Sequence, residues 1–442
     1  MKGLTVKDIA GIVGGRLLGD GGDREPTGLV IDSRQVQPGL GFAALPGEHT
    51  DGHAFIGKAF DAGASFCLAE HMPEGEHRAV ITVADVAEAI TKLAIAYRSR
   101  FSIPVVGVTG SVGKTTAKEM ISCVLSQKYN THSTEKNYNN ELGVPLTIFR
   151  MEPEHEAAVI EMGISHFGEM TRLARMAKPT MAVFTIIGRS HLEFLGDRDG
   201  VLLAKGEMLS EMDEDAPVFV NGDDDLLVEL QCPQEIIRFG LGRKCDVRAE
   251  NIRTMGEAGS ECDVVCEDRR IPVRIPAYGK HLVYAALAAA AVGMRLGLSD
   301  AQIAAGIAAY TPVGRRARVV ETDSLTMIDD CYNANPDSAA SAIDSASDLG
   351  GRLVCIFGDM LELGDKSVQL HRLTGRLALS RGAVLLTTGE MARYMGGQHF
   401  ESREALIQAL PSILHHGDRV LVKASNSMNF GEISEALKTL VL

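Results

Sequence analysis

The sequence predicts an α/β protein of three domains. Three observations predict it. The 442 residues exceed what one ordinary hydrophobic core serves. Short apolar runs that end at glycine alternate with amphipathic helical stretches. Pro104 and Pro312 each stand where one such alternation stops and another starts. The expected domains are 1–101, 102–312 and 313–442.

In the first unit, 28–34 ("GLVIDSR") reads as a short strand and a polar turn. Residues 53–70 read as an amphipathic helix that passes through glycine into a strand, and 83–101 as a helix with apolar residues three to four apart. The second unit opens with the buried strand "VVGV" (105–108), a glycine-rich loop, and a helix over 114–128. "EAAVIEMG" (156–163) and "MAVFTIIG" (181–188) are further strands that end at glycine, as in a mostly parallel, doubly wound sheet. The Ala-rich stretch 281–297 closes the unit as a buried helix. In the third unit, 325–338, 352–360, 383–389 and 419–425 are four strand-like runs separated by helical segments, a Rossmann-like pattern.

Composition bounds the function. Apolar residues make up 45% and charged residues 23%, ordinary for a soluble globular chain. The net charge of -14 and the lack of a basic stripe argue against a nucleic-acid partner. Any site for an anionic ligand must therefore be locally positive. The eight cysteines are too sparse for a disulfide framework, and the CxxxC pair Cys262/Cys266 lacks further ligands at zinc-finger spacing. Lys7 and Asp8 stand where a signal peptide needs an apolar core, so a soluble, cytoplasmic protein is expected.

The loop within "VTGSVGKTT" (108–116) carries the chemistry. A strand that runs through glycines into a helix aims backbone N–H groups and the helix dipole at one point. Lys114 adds a full positive charge, and Thr115 or Thr116 offers a hydroxyl to Mg²⁺. Thr109, Gly110, Ser111, Val112, Gly113, Lys114, Thr115 and Thr116 are thus read as a triphosphate cradle. Val108 takes the place of the first glycine of the longer Walker pattern, so the loop is a GxxGKT form. An ordinary strand–turn–helix junction with an incidental lysine is the plain alternative. A phosphate loop alone fits a GTPase, a transport ATPase, a kinase or a ligase; no NKxD motif reads guanine here.

Four further stretches discriminate: "STEKNYNNELGVPLT", "EMGISHFGEM", "IGRSHLEFLG" and "LLAKGEM". With GxxGKTT they resemble the ATP-dependent Mur ligases, which make amide bonds in peptidoglycan precursors. "VIDSRQVQPGLGFAALPGEHTDGHAF", "DDCYNANPDSAAS" and "GDMLELG" are similar to the member of that family that joins D-alanyl-D-alanine to UDP-N-acetylmuramoyl-tripeptide. The resemblance implies an N-terminal UDP-sugar binder, a central ATPase and a C-terminal Rossmann-like domain for dipeptide and nucleotide. It implies phosphorylation of the tripeptide carboxylate by ATP, then attack on the acyl phosphate by the dipeptide amine, in a monomeric enzyme. Other amide ligases of the superfamily, such as a folate polyglutamate synthetase, and a nucleotide-binding or regulatory ATPase module are the alternatives.

The resemblance also implies roles for particular residues. Lys114 sits on the β- and γ-phosphates. Thr115, Glu161 at a strand end, and His191 hold Mg²⁺, two ions in all. Lys205 is carbamylated and helps to set the metal. Asn137 and Asn140 line the space between phosphate and tripeptide carboxylate, with helix capping as their plain alternative. Arg315 lies near the γ-phosphate. Asp330, Asn333 and Asn335 meet ribose and adenine; Asp32, Ser33 and Arg34 meet the UDP-sugar; Lys423 and Ser425 meet the dipeptide. The chain departs from the family at Leu282 and Ala285, where asparagines are usual, at Ile186, also a common asparagine position, and at Ala424 and Asn426, where KGSR is usual.

Overall fold

The computed structural model describes residues 1–47 and 50–442; Glu48 and His49, inside the N-terminal motif stretch, lie outside the described residues. Among the described residues three separate sheets form, one per unit.

The N-terminal sheet holds β1 (Arg16–Leu18), β2 (Gly28–Val30), β3 (Leu40–Ala43), β4 (Phe66–Ala69) and β5 (Val80–Thr82) in the order β1-β5-β4-β3-β2. Only the β1/β5 pair is antiparallel. Helix Val86–Arg98 joins this unit to the next. Tyr97 donates its hydroxyl to the Met151 carbonyl at 2.8 Å. The buried guanidinium of Arg98 bonds the Ala177 carbonyl at 2.7 Å and that of Lys178 at 3.1 Å. A cation thereby closes the C-terminal end of helix Glu169–Ala177, where free carbonyls and the dipole favour one. Apolar side chains of the two units also pack into one continuous core.

The central sheet contains β6 (Val105–Thr109), β7 (Thr131–Ser133), β8 (Ala157–Glu161), β9 (Met181–Phe184), β10 (Val218–Asn221), β11 (Ile236–Gly240), β12 (Val247–Thr254), β13 (Ser260–Cys266) and β14 (Arg269–Ile275). Its order is β14-β13-β12-β11-β10-β9-β6-β8-β7. Strands β7 to β12 pair in parallel, every one of β6, β8 and β9 is buried throughout, and a β12–β14 antiparallel ladder extends the edge. That ladder lies outside the strands expected from the sequence. In β14, Ile271, Val273 and Ile275 are buried while Arg270 and Arg274 face solvent, the two-residue alternation of an antiparallel strand with one solvated face.

The C-terminal sheet holds β15 (Arg318–Glu321), β16 (Thr326–Asp329), β17 (Leu353–Phe357), β18 (Val384–Thr388), β19 (Gln398–Phe400) and β20 (Arg419–Lys423), in the order β15-β16-β20-β17-β18-β19. All pairs are parallel except β15/β16.

Strand order reverses beside β6 in the central sheet, with β8 on one side and β9 on the other, and β20 returns between β16 and β17 in the C-terminal one. Such switch points leave a crevice beyond the strand ends where open α/β sheets bind ligands. The two crevices face each other across one cleft, lined by both units. No described helix is long and apolar enough to cross a membrane.

Candidate active site

The cleft is built around the loop that follows β6. Gly110 has φ +144°, and a Cβ there would strike Thr185, so only glycine fits. The loop is stapled to the segment after β9. Ser111 N–H donates to the Ile186 carbonyl at 2.7 Å, Thr185 Oγ1 to the Val112 carbonyl at 2.6 Å, and Ser111 Oγ to the Gly188 carbonyl at 3.2 Å. Gly113, at φ +83°, turns the chain into helix Lys114–Leu125. No side chain caps that helix, so its first amides are left for a ligand. Lys114 Nζ rests 2.7 Å from the Gly110 carbonyl, and burial pushes its pKa below the usual lysine range.

Glu161 ends β8 and is 1% exposed. Thr115 Oγ1 donates to its Oε2 at 2.8 Å, and Asn139 Nδ2 donates to its Oε1 at 2.7 Å. Its own N–H donates to Thr134 Oγ1 at 3.0 Å, while buried Lys118 donates to the Thr134 carbonyl at 2.6 Å. The carboxylate is thus fixed from both sides. Thr115 and Glu161 form a pair of buried hard oxygen donors of the kind that Mg²⁺ takes.

Of the asparagines expected here, Asn137 lines the cleft. Asn140 lines it too, but its Oδ1 accepts the Gly143 N–H at 2.9 Å and so closes the turn that leads into helix Gly143–Ile148. The asparagine that holds Glu161 is Asn139, their neighbour, which sequence reasoning passed over in a run of polar residues.

His191 adopts a left-handed backbone, φ +55°, at the start of helix Leu192–Leu195. Its Nδ1 lies 2.5 Å from Glu362 Oε2, on the opposite unit. That contact holds the Glu362 carboxyl below the usual range. Glu362 is also left-handed, φ +60°, and its carbonyl accepts the Glu193 N–H at 3.2 Å. Next to it, Arg189 reaches across to Asp337: backbone N to Oδ2 at 2.5 Å and Nη2 to Oδ1 at 2.6 Å.

Lys205 lies in helix Arg198–Gly206 and is 1% exposed. Burial, reinforced by the like charge of Lys114, puts its pKa well below the ordinary value. Glu207, two residues on, instead accepts the Gly168 N–H at 2.8 Å and caps helix Glu169–Ala177.

The far wall comes from the C-terminal unit. Asp330 follows β16, and its Oδ2 pairs with Lys423 Nζ at 2.6 Å. Asn333 lines the cleft, and Asn335 both lines it and caps helix Pro336–Ser347. Arg316 stacks on the Tyr332 ring at 3.8 Å. Tyr278, His281 and Tyr310 complete this end. Tyr278 Oη and His281 Nδ1 are buried with no protein partner among the described residues, and burial lowers the His281 pKa. These residues come from four separate stretches, so no local pattern marked them. The cavity measures about 340 Å³, within the range of small-molecule sites.

Several expected residues lie elsewhere. Arg315 turns into the C-terminal unit, where Nη2 meets Glu435 at 3.1 Å and Nε lies 3.8 Å from Asp329; the arginine on the cleft is Arg316. Asp32, Ser33 and Arg34 form a closed turn in the N-terminal unit, Asp32 accepting the Arg34 N–H at 2.9 Å, away from this cleft. Ser425 Oγ accepts the Leu361 N–H at 3.0 Å and so supports the Glu362 loop from behind.

Fold and site together define a nucleotide-binding enzyme whose phosphate loop and far wall come from two α/β domains. The comparisons with known proteins narrow the class. Residues 25–98 match the model of the Mur ligase family catalytic domain, 108–293 the Mur ligase middle domain, and 314–426 the Mur ligase glutamate ligase domain. UDP-N-acetylmuramoyl-tripeptide--D-alanyl-D-alanine ligase of Bacillus subtilis is 35% identical, with 98% of each chain covered. The Escherichia coli protein of the same name is 33% identical, with 99% of each chain covered. A crystal structure of MurF from Acinetobacter baumannii superposes with TM-score 0.89 at 28% identity, covering 99% of both chains. MurF from Thermotoga maritima in complex with ADP superposes with TM-score 0.82 at 28% identity, covering 93% of this chain and 97% of that one. The chain belongs to the Mur ligase family.

Proposed function

We propose that this protein is the ATP-dependent ligase that joins D-alanyl-D-alanine to the terminal carboxylate of UDP-N-acetylmuramoyl-tripeptide. One observation carries the reading: an uncapped phosphate loop with a fixed Thr115–Glu161 oxygen pair faces a second, Asp- and Asn-rich loop across a single cleft. Relatives of that printed name match over nearly the whole length. In this reading residues 1–101 bind the UDP-sugar, 102–312 bind ATP, and 313–442 bind dipeptide and nucleotide, in a cytoplasmic monomer.

The chemical problem is bringing a carboxylate to a triphosphate, anion against anion. Catalysis is therefore positioning plus charge neutralisation. Lys114 swings from the Gly110 carbonyl onto the β- and γ-phosphates, beside the open helix N-terminus. Thr115 and Glu161 are the residues that would hold Mg²⁺, with His191 for a second ion. The metal supplies charge neutralisation and polarises phosphoryl oxygens. Asn139 keeps the Glu161 carboxylate oriented. The tripeptide carboxylate oxygen attacks the γ-phosphorus, and the bond to the β-phosphate bridging oxygen breaks to release ADP. The dipeptide amine then attacks the acyl carbon, phosphate leaves, and the amine loses its proton. Contacts across the cleft shut out water, which would otherwise hydrolyse the acyl phosphate.

Lys205 fits carbamylation. Burial lowers the Lys205 pKa and so favours the neutral amine, the form that adds CO₂ and sheds a proton to become an anion. That anion would sit near Lys114 instead of a second cation. A ¹³C-carbamate signal from protein equilibrated with ¹³C-bicarbonate, lost in Lys205→Ala, is expected; a signal unchanged in the variant refutes it.

The test of the function is phosphate release from ATP with UDP-N-acetylmuramoyl-tripeptide, with and without D-alanyl-D-alanine. Release that needs the dipeptide, with the pentapeptide detected by mass, is expected. Turnover indifferent to the dipeptide would point to a regulatory ATPase instead.

A further inference from the structure

Lys423 ends β20, the central strand of the C-terminal sheet, and is 2% exposed. Its ammonium is spent on one segment. Nζ lies 2.6 Å from Asp330 Oδ2, 2.9 Å from the Asn333 carbonyl, and 3.5 Å from the Asp330 carbonyl. An ammonium has three donors, and all of them point at residues 330–333. The backbone agrees, since the Asp330 N–H donates to the Val422 carbonyl at 3.0 Å. The other Asp330 oxygen, Oδ1, takes the Ala317 N–H at 3.0 Å, beside Arg316. The segment that Lys423 braces then presents Tyr332 under Arg316, Asn333, and the helix-capping Asn335 to the cleft.

We infer that Lys423 is a positioning residue for the nucleotide, acting through Asp330 and the 330–335 loop, and not a contact for the dipeptide carboxylate. A buried cation already saturated by the loop has no donor to give an incoming acid. Removing it leaves the buried edge of the Asp330 carboxylate unpaired and frees the loop that shapes the far wall. The inference rests on reading this cleft as the ATP site.

The test separates the two substrates of the same enzyme. Kd for ADP is measured calorimetrically with no other substrate present, and KM for D-alanyl-D-alanine is measured at saturating ATP, for the parent, Lys423→Met, Asp330→Asn and the double variant. Lys423→Met is expected to weaken ADP binding by about tenfold or more, the scale of a charged hydrogen-bond network, while KM for the dipeptide stays within about twofold. The double variant is expected to be no worse than Asp330→Asn, because Lys423 acts through that carboxylate. A dipeptide KM raised about tenfold with ADP affinity unchanged overturns the inference. Should Lys423→Met not fold, Lys423→Gln decides, since it keeps a polar group beside the Asn333 carbonyl but loses the charge paired with Asp330: weaker ADP binding at unchanged dipeptide KM supports the inference and unchanged ADP binding refutes it. Failure of the parent to bind ADP would refute the reading of the cleft, a result distinct from either.

Discussion

The contact between Arg189 and Asp337 gives the most searching test of how the two halves of the cleft are held. Asp337→Ala removes a carboxylate that takes one backbone N–H at 2.5 Å and two guanidinium donors, Nη2 at 2.6 Å and Nε at 3.2 Å. The pair is partly screened, with side-chain exposures of 42% for Arg189 and 22% for Asp337. An exposed ion pair is worth ~0–1 kcal/mol and a hydrogen bond to a charged group ~1.5–3 kcal/mol, so about 2 kcal/mol is a fair value for this half-screened, forked contact. At about 1.4 kcal/mol per factor of ten, that shifts the balance between closed and open cleft by roughly 30-fold. Other ties remain, among them His191–Glu362, Lys366 to the Gly196 carbonyl at 3.0 Å, and Lys280–Asp348 at 2.7 Å, so the domains should loosen without unfolding. Asp337 also sits in the first turn of helix Pro336–Ser347, where a negative charge is worth ~0.3–1 kcal/mol by itself. A double-mutant cycle removes that contribution. Arg189→Ala, Asp337→Ala and the pair are compared by kcat, by KM for ATP and by small-angle scattering. Each single variant is expected to lower kcat about tenfold or more and to enlarge the particle, and the double variant to match Asp337→Ala. Strictly additive losses, or single variants within about twofold of the parent, would refute the claim that this pair holds the cleft shut.

Three further outcomes follow from the same geometry. Glu161→Gln keeps the shape that Thr115 and Asn139 grip but loses the charge, so ligation should fall by about 10²–10³-fold with melting temperature nearly unchanged, checked by phosphate release and calorimetry. Lys205 is depressed in the folded state relative to an ordinary value of 10.5, so the unfolded chain binds more protons between the two values and stability rises with pH across that window. In CO₂-free buffer, denaturant titrations from neutral to alkaline pH should lose part of that slope in Lys205→Met, and an unchanged slope would exclude the buried amine as its source. His132, 8% exposed, is pushed down by burial to about 4 from 6.5, so it must charge on unfolding in acid. Stability should fall by up to about 3 kcal/mol as pH drops from about 6.5 to about 4, and His132→Gln should flatten that fall.

Local physics made much of this molecule legible. The strand, glycine loop and helix from Val105 to Leu125 were readable because a phosphate cradle is made of backbone, and backbone geometry follows from residues adjacent in sequence. The Ala-rich helix Leu282–Arg295 was readable because it is apolar on every side. The β12–β14 ladder was not, since β12 breaks the two-residue alternation with a register shift between Glu250 and Arg253 and exposed residues from Asn251 to Thr254.

Side-chain direction was decided only in three dimensions. Arg315 and Arg316 are neighbours in one basic run, yet the first pairs with Glu435 and the second stacks on Tyr332. Asn139, not Asn137 or Asn140, meets Glu161 because the turn after β7 aims it there. The sequence by itself determined that three α/β units follow one another and that the middle one carries an anion-binding loop. Tertiary structure alone decided which charges meet across the cleft. Arg189 with Asp337 and His191 with Glu362 join residues 148 and 171 positions apart. A pairing of that kind depends on how whole domains dock, and periodicity along a chain holds no record of it.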